Sequence, residues 1–181
     1  MRSGRQESLW VLRAQSGDRQ ALEHLLDSVQ PSLCRYLRSL VGPSDADDIA
    51  QDVLLLIYRK LSWLEAPEVF RPWVFRMASR AAFRHLQKTR RWRETANDDA
   101  VLEDLPAREP PPAAELLGRL STLDGISPAS RAVLLLHFQE ELSLPEVAAV
   151  LAIPLGTVKS RLAYGLAALR KQLGNSRRSL P

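Results

Sequence analysis

Cysteine is almost absent: Cys34 is the single one in 181 residues. That excludes an internal disulfide framework and suits a reducing compartment such as the cytoplasm. Cys34 stands in an apolar pattern with Leu33, Tyr36 and Leu37, which reads as a core thiol. Histidine is scarce too, and His24, His85 and His137 stand apart, with no partner at metal-ligating or nucleophile–base spacing. Only eight glycines occur, and none forms a phosphate-cradling loop. The chain therefore carries no enzyme signature, and neither cofactor nor metal is expected. No apolar run approaches the ~20 residues that span a bilayer, and no apolar stretch follows the charged start Met1-Arg2-Ser3-Gly4-Arg5. A soluble cytoplasmic protein without membrane insertion is expected.

What is present favours helices. Hydrophobic residues make up 45% of the chain and charged residues 25%, enough for packed cores and against wholesale disorder. Leu, Ala and Arg dominate and β-branched runs are few. The net charge of +4 alone says little about partners, but its distribution says more. Residues 71–93 contain eight bases and no acid, and residues 147–181 contain six bases and no acid. Between them, residues 94–115 contain seven acids and one base, Arg108.

Punctuation divides the chain. Residues 7–41 read as two helices broken at Ser16-Gly17-Asp18, and Gly42-Pro43 stops the second. Ser44 is expected to start a third helix, with Asp45, Asp47 and Asp48 in its first turn at the positive end of the helix dipole, running to about Ser62. A fourth helix is expected over 68–92, after Pro67. Residues 94–112, acidic and holding Pro106, Pro110, Pro111 and Pro112, read as a flexible linker. Beyond it, helices are expected over 113–123, 128–138, 144–152 and 156–173, with a frayed tail from Asn175. The chain is thus read as all-α: two small helical domains, 7–93 and 113–174, joined by an acidic, proline-rich linker.

Three helix faces carry functional information. Ser143 and Glu146 have capping-box spacing, and Ile153-Pro154-Leu155 breaks the chain before a second helix at Gly156-Thr157. Two short helices about such a turn match a helix-turn-helix, whose second helix enters the major groove. Val158, Leu162, Leu166, Leu169 and Leu173 form its core stripe. Thr157, Ser160, Arg161 and Tyr164, with Lys159 at the flank, offer donors to base edges and phosphates. On the helix from Arg71, a step of 100° per residue gathers Val74, Met77, Ala78, Ala81, Ala82 and Leu86 inward. Arg76, Arg80, Arg84 and Gln87 fall opposite, with Trp73 and Phe83 among them, and Lys88 and Arg91 extend the basic run. Aromatics interleaved with arginines suit stacking on unpaired bases combined with phosphate neutralisation. On the aspartate-rich helix, Ile49, Val53, Leu54, Leu56, Ile57 and Leu61 make a core arc. Asp48, Gln51, Asp52, Leu55 and Arg59 make the remaining stripe, in which Leu55 is an apolar centre flanked by carboxylates, suited to a basic protein surface.

These elements, in this order, resemble the extracytoplasmic-function (ECF) group of sigma factors of bacterial RNA polymerase. Asp45-Ala-Asp-Asp-Ile-Ala-Gln-Asp-Val53 resembles the region 2 helix that grips the clamp helices of the polymerase β′ subunit. Phe70-Arg-Pro-Trp-Val-Phe-Arg-Met-Ala78 resembles the start of the helix that melts and reads the minus-ten element. Glu146-Val-Ala followed by Gly156-Thr-Val-Lys-Ser-Arg-Leu162 resembles region 4, which binds the minus-thirty-five element. The resemblance spans residues 8–173 and implies an alternative sigma factor. Asp48, Gln51, Asp52 and Leu55 would contact core polymerase, with a further contact to the β flap. The loop 62–70 and the basic face after it would hold the non-template strand of opened promoter DNA. The linker would thread a basic channel of the polymerase, and an anti-sigma factor would restrain the protein. Where the family often has Asn and then Asp after the Met77-Ala78 turn, this chain has Arg80 and Arg84. Where it often has an aromatic followed by a base, this chain has Ala163 and Tyr164. Both departures bear on promoter sequence. The competing reading is a polymerase-independent helix-turn-helix transcriptional regulator, which leaves the acid-free aromatic face and the acidic linker without a purpose.

Overall fold

Helices form where an apolar stripe recurs every 3.6 residues, and Gly17 and Gly42-Pro43 mark breaks between them, while Pro31 is carried inside the helix Arg19–Val41. The computed structural model describes residues 2–89 and 126–178, with side chains over 5–89 and 126–171. Among the described residues there are seven α-helices and no strand. The expected linker 94–112, the expected helix 113–123 and Arg91 lie outside them. The chain divides into two compact units, Met1–Arg84 and His85–Pro181.

In the first unit, α1 (Arg2–Gln15) turns into α2 (Arg19–Val41) at Gly17, whose φ of +92° suits a residue without a Cβ. Asp18 caps α2 by accepting a hydrogen bond from the Ala21 amide, and it pairs with Arg13 at 2.6 Å. The amide bond and the guanidinium hold its carboxyl below the usual range. Gly42, at φ +90°, ends α2, and Pro43 opens α3 (Pro43–Lys60). The start is one residue earlier than expected from Ser44, because proline's fixed φ and missing N–H suit the first helical position. Only Asp45 falls in the first turn; Asp47 instead reaches back to Arg38 on α2 at 2.9 Å. Two 3₁₀ turns, Leu61–Trp63 and Pro67–Val69, lead into α4 (Phe70–Lys88), two residues later than the expected start.

The core of this unit is built on α2, which packs against α1 and α3. Leu25, Val29, Leu33, Tyr36 and Leu37 are fully buried, as are Val53 and Ile57 of α3 and Val74 and Phe75 of α4. Burying side chains of this size contributes about 1.5–3 kcal/mol each. Leu54 and Leu56, expected in the core arc, are only half-buried at its rim. On α4 the buried stripe is Val74, Phe75, Ala78, Ser79, Ala82 and Leu86, while Met77 and Ala81 are half-buried. The stripe is rotated from expectation because Tyr36 draws two residues inward. Its ring meets Phe75 edge-on at 5.3 Å, and its hydroxyl is 2.6 Å from Ser79 Oγ.

In the second unit, α5 (Pro128–Leu134) is capped by Ser127 and runs into a π-helical turn, Leu135–Gln139. Leu134, Leu135 and Leu136 are all fully buried. A capping box opens α6 (Leu144–Leu151), and α7 (Leu155–Arg178) continues beyond the expected end at 173. Val158, Gly165 and Leu169 are its buried line, whereas Leu162 and Leu166 are half-buried. Gly165 shifts that line: a Cβ there would lie 2.7 Å from Leu134 Cδ1, so glycine permits α7 to approach α5 closely.

An ion pair between Glu7 of α1 and Arg71 of α4, at 3.1 Å, sits in the first unit with Glu7 buried. Burial pushes the Glu7 carboxyl above its ordinary 4.5, against the opposing pull of Arg71. A raised carboxyl favours folding most below 4.5 and loses that contribution as pH rises through the folded value. Glu7→Gln is therefore expected to match the wild type at acid pH and exceed it in stability at pH 7. Arg71→Met, which strands the carboxylate, should destabilise by roughly 2–3 kcal/mol at pH 7, below the fully buried range because Arg71 is partly exposed. Urea denaturation at pH 4 and 7, followed by amide exchange in α1, checks both.

Candidate polymerase and promoter interfaces

Because α3 turns Ile49, Val53 and Ile57 inward, its opposite row faces water. Asp48, Gln51, Asp52 and Leu55 are all exposed, Leu55 by 47%. They fall at i, i+3, i+4 and i+7 and so share one face. Tyr58, 64% exposed, continues the row toward the end of the helix. The stripe is acidic at one end and apolar at the other, a pattern suited to a basic surface with an apolar centre.

Along α4, Arg76, Arg80, Arg84, Gln87 and Lys88 are exposed, and Trp73 and Phe83 are half-buried. Arg71 belongs to the acid-free run but is drawn into the pair with Glu7, so it braces the fold. Sequence reasoning took in the loop 62–70 as a stretch but did not single out Trp63. It stands 73% exposed on the 3₁₀ turn after α3, with the Lys60 ammonium 5.7 Å from its ring centre. Periodicity gives no signal for it, because it lies where the helical period is interrupted; the only hint was an aromatic in a break beside a base.

In the second unit, Ser143 and Glu146 cap α6 reciprocally. The Ser143 amide donates to Glu146 Oε2 at 2.8 Å, and the Glu146 amide donates to Ser143 Oγ at 3.4 Å. The turn is made by Ala152, which adopts left-handed φ 54° and ψ 45°. The helices it joins bend by 105°, within the range of a helix-turn-helix. At the start of α7, Lys159 and Tyr164 are exposed, and Thr157, Ser160 and Arg161 are half-exposed beside them. Thr157, Ser160, Arg161 and Tyr164 follow the i, i+3, i+4, i+7 row. Ser160 Oγ donates to the Thr157 carbonyl at 2.9 Å, leaving its lone pairs to accept from outside. The amide end of this helix adds a positive pole suited to phosphate. Among the described residues no group of His, Cys, Asp and Glu is placed to hold a metal. No single described helix is long and apolar enough to cross a membrane.

The chain matches the sigma-70 region 2 family over residues 25–93 and the sigma-70 region 4 family over residues 122–171. It is 31% identical to the RNA polymerase sigma factor NccH of Alcaligenes xylosoxydans xylosoxydans, covering 91% of this chain and 92% of that one. The chain is an ECF sigma factor. The ECF sigma factor SigW of Bacillus subtilis is 26% identical across 90% of this chain and 94% of its own. Among solved structures, CnrH in complex with the cytosolic domain of CnrY aligns with a TM-score of 0.66 at 26% identity, covering 94% of this sigma factor and 98% of CnrH. The sigma factor RpoE of Bartonella quintana, in complex with the anti-sigma factor NepR, aligns at 0.60 and 25% identity, covering 84% and 96%. The sigma factor binds core RNA polymerase and promoter DNA and directs promoter-specific initiation. The region 2 match holds the α3 stripe and the basic face of α4; the region 4 match holds the helix-turn-helix.

Ala152 is the strained point of that turn. A left-handed alanine costs about 1–2 kcal/mol, while glycine adds roughly 0.4–1 kcal/mol of unfolded-chain entropy. Ala152→Gly is expected to stabilise the helix-turn-helix by about 0.5 kcal/mol, seen as slower amide exchange over residues 144–152.

Proposed function

We propose that the three faces divide the work of initiation as follows. Asp48, Gln51, Asp52 and Leu55 dock on the clamp helices of the polymerase β′ subunit, with the second domain resting on the β flap. Trp73, Arg76, Arg80, Phe83, Arg84, Gln87, Lys88 and Arg91, together with the loop 62–70, hold the non-template strand at the minus-ten element. Thr157, Lys159, Ser160, Arg161 and Tyr164 read the minus-thirty-five duplex. The observation carrying this reading is that one chain presents an acidic–apolar stripe, a basic–aromatic face and a helix-turn-helix, each turned outward by its own core. We take the domains as 7–93 and 113–174. The acidic linker 94–112 matches in charge a channel built for nucleic acid.

Such a protein performs no chemistry of its own; nucleotide transfer belongs to the polymerase, and the place of work is the cytoplasm. Relatives of this fold are held by CnrY and by the anti-sigma factor NepR. An anti-sigma factor covering the α3 stripe and the DNA-binding faces is the corresponding control here. A pull-down from native cells that recovers polymerase subunits alone, with and without induction, speaks against it.

Asp48→Arg and Leu55→Asp are each expected to abolish binding to core polymerase while leaving helical content unchanged. Holoenzyme assembly by both variants on gel filtration refutes the assigned face. Arg161→Ala should weaken minus-thirty-five recognition by roughly 1–3 kcal/mol if the side chain contacts a base specifically. Promoter selectivity measured with the variant holoenzyme checks this, and unchanged selectivity removes Arg161 from the reading surface.

A further inference from the structure

The segment between α3 and α4 carries an exposed tryptophan, yet the backbone of its first turn is tied to α1, and just past its far end the Arg71 side chain of α4 pairs with α1 as well. Gln15, in the last turn of α1, donates its side-chain amide to the Leu61 carbonyl at 2.9 Å and to the Leu64 carbonyl at 2.7 Å. Both partners are carbonyl oxygens, so only the nitrogen of the amide can face them. The Leu64 amide closes the same turn by donating to the Leu61 carbonyl at 3.1 Å. Leu61 and Leu64 bury their side chains, and Trp63 between them is left in water. Eight residues earlier on α1, Glu7 receives Arg71 at the far end of the segment. That separation is about 12 Å along a helix, so one rigid element pins both ends of the loop. α1 also packs against both 3₁₀ turns, and it lies ahead of the region 2 match that begins at residue 25.

A loop that must order itself when DNA arrives loses affinity to that ordering, whereas one held in advance does not. Lys60 sits against the Trp63 ring. The remaining surface of the indole suits stacking with an unpaired base. We propose that α1 is a brace for promoter opening, in which Gln15 is a positioning residue that presets the Leu61–Leu64 turn so that Trp63 captures an unstacked base. This rests on the assignment of loop 62–70 to the non-template strand. Gln15 touches no DNA; it acts through the turn.

The test uses holoenzyme assembled from the full chain and core polymerase, on promoter DNA carrying 2-aminopurine in the non-template minus-ten strand. Gln15→Met keeps the length and packing of the side chain and removes the donor. It is expected to slow opening by about tenfold, equivalent to ~1.4 kcal/mol at the transition state. Core affinity, closed-complex affinity and the melting temperature should stay unchanged. Gln15→Lys restores a donor within reach of both carbonyls and should recover most of the rate. Trp63→Ala should slow opening, and adding Gln15→Met to it should slow it no further, because the two act on one event. Wild-type opening by Gln15→Met while Trp63→Ala is slow overturns the brace and leaves the strand assignment standing. So does fully additive slowing in the double variant, or slowing that tracks a lowered melting temperature. Wild-type opening by Trp63→Ala removes the strand assignment itself, and the brace with it.

Discussion

The 2.6 Å hydrogen bond between the Tyr36 hydroxyl and Ser79 Oγ fixes how α4 is rotated about its own axis. A net hydrogen bond contributes about 0.5–1.5 kcal/mol, and this one, with both residues buried, favours Ser79 at that position. Phe75 is locked by the same tyrosine ring. With those two residues inside, Arg76, Arg80 and Arg84 have only water to face, and Trp73 and Phe83 fall on the flanks. The face that α4 turns to water therefore follows in large part from one buried polar contact among the apolar residues around it. The same logic runs through α3, where inward Val53 and Ile57 leave Asp48, Asp52 and Leu55 outward, and through α7, where Val158 and Leu169 leave Lys159 and Tyr164 outward.

Much of this could be read from residue order alone because it rests on local rules. The stripe from Asp48 to Leu55 follows from helical spacing, and the Ser143–Glu146 cap follows from two residue types three positions apart. The breaks at Gly17 and Gly42 follow from backbone freedom. What escaped depends on contacts between distant residues. Ser79 is polar and would be placed in water by any periodic rule, and only Tyr36, forty-three residues away, brings it in. Gly165 reads as a weak point in a helix until Leu134 is seen against it. Leu162 and Leu166 fit the apolar stripe, but the close approach at Gly165 moves the contact line past them. Ala152 carries no mark of a left-handed turn, and Arg71 looked like one more base until Glu7 paired with it.

A division of labour follows from the weakness of each face alone. The helix-turn-helix brings few bases to its duplex, and affinity for DNA grows with the number of phosphates neutralised. The α4 face suits bases that are already unstacked, which duplex DNA does not supply. On the assignment proposed above, the acidic–apolar stripe on α3 is the means of borrowing both affinity and opened DNA from a larger partner. A free-standing regulator leaves the stripe and the basic face of α4 without a use, and the sigma-70 region 2 match, which spans both, speaks against that reading.

The most direct test is run-off transcription with purified core polymerase on fragmented genomic DNA, paired with footprinting of the chain alone. Selective transcripts from a small set of start sites, with no specific duplex protection in the absence of polymerase, are the outcome expected here. Specific protection by the isolated chain, combined with no selective initiation when core enzyme is added, contradicts the account.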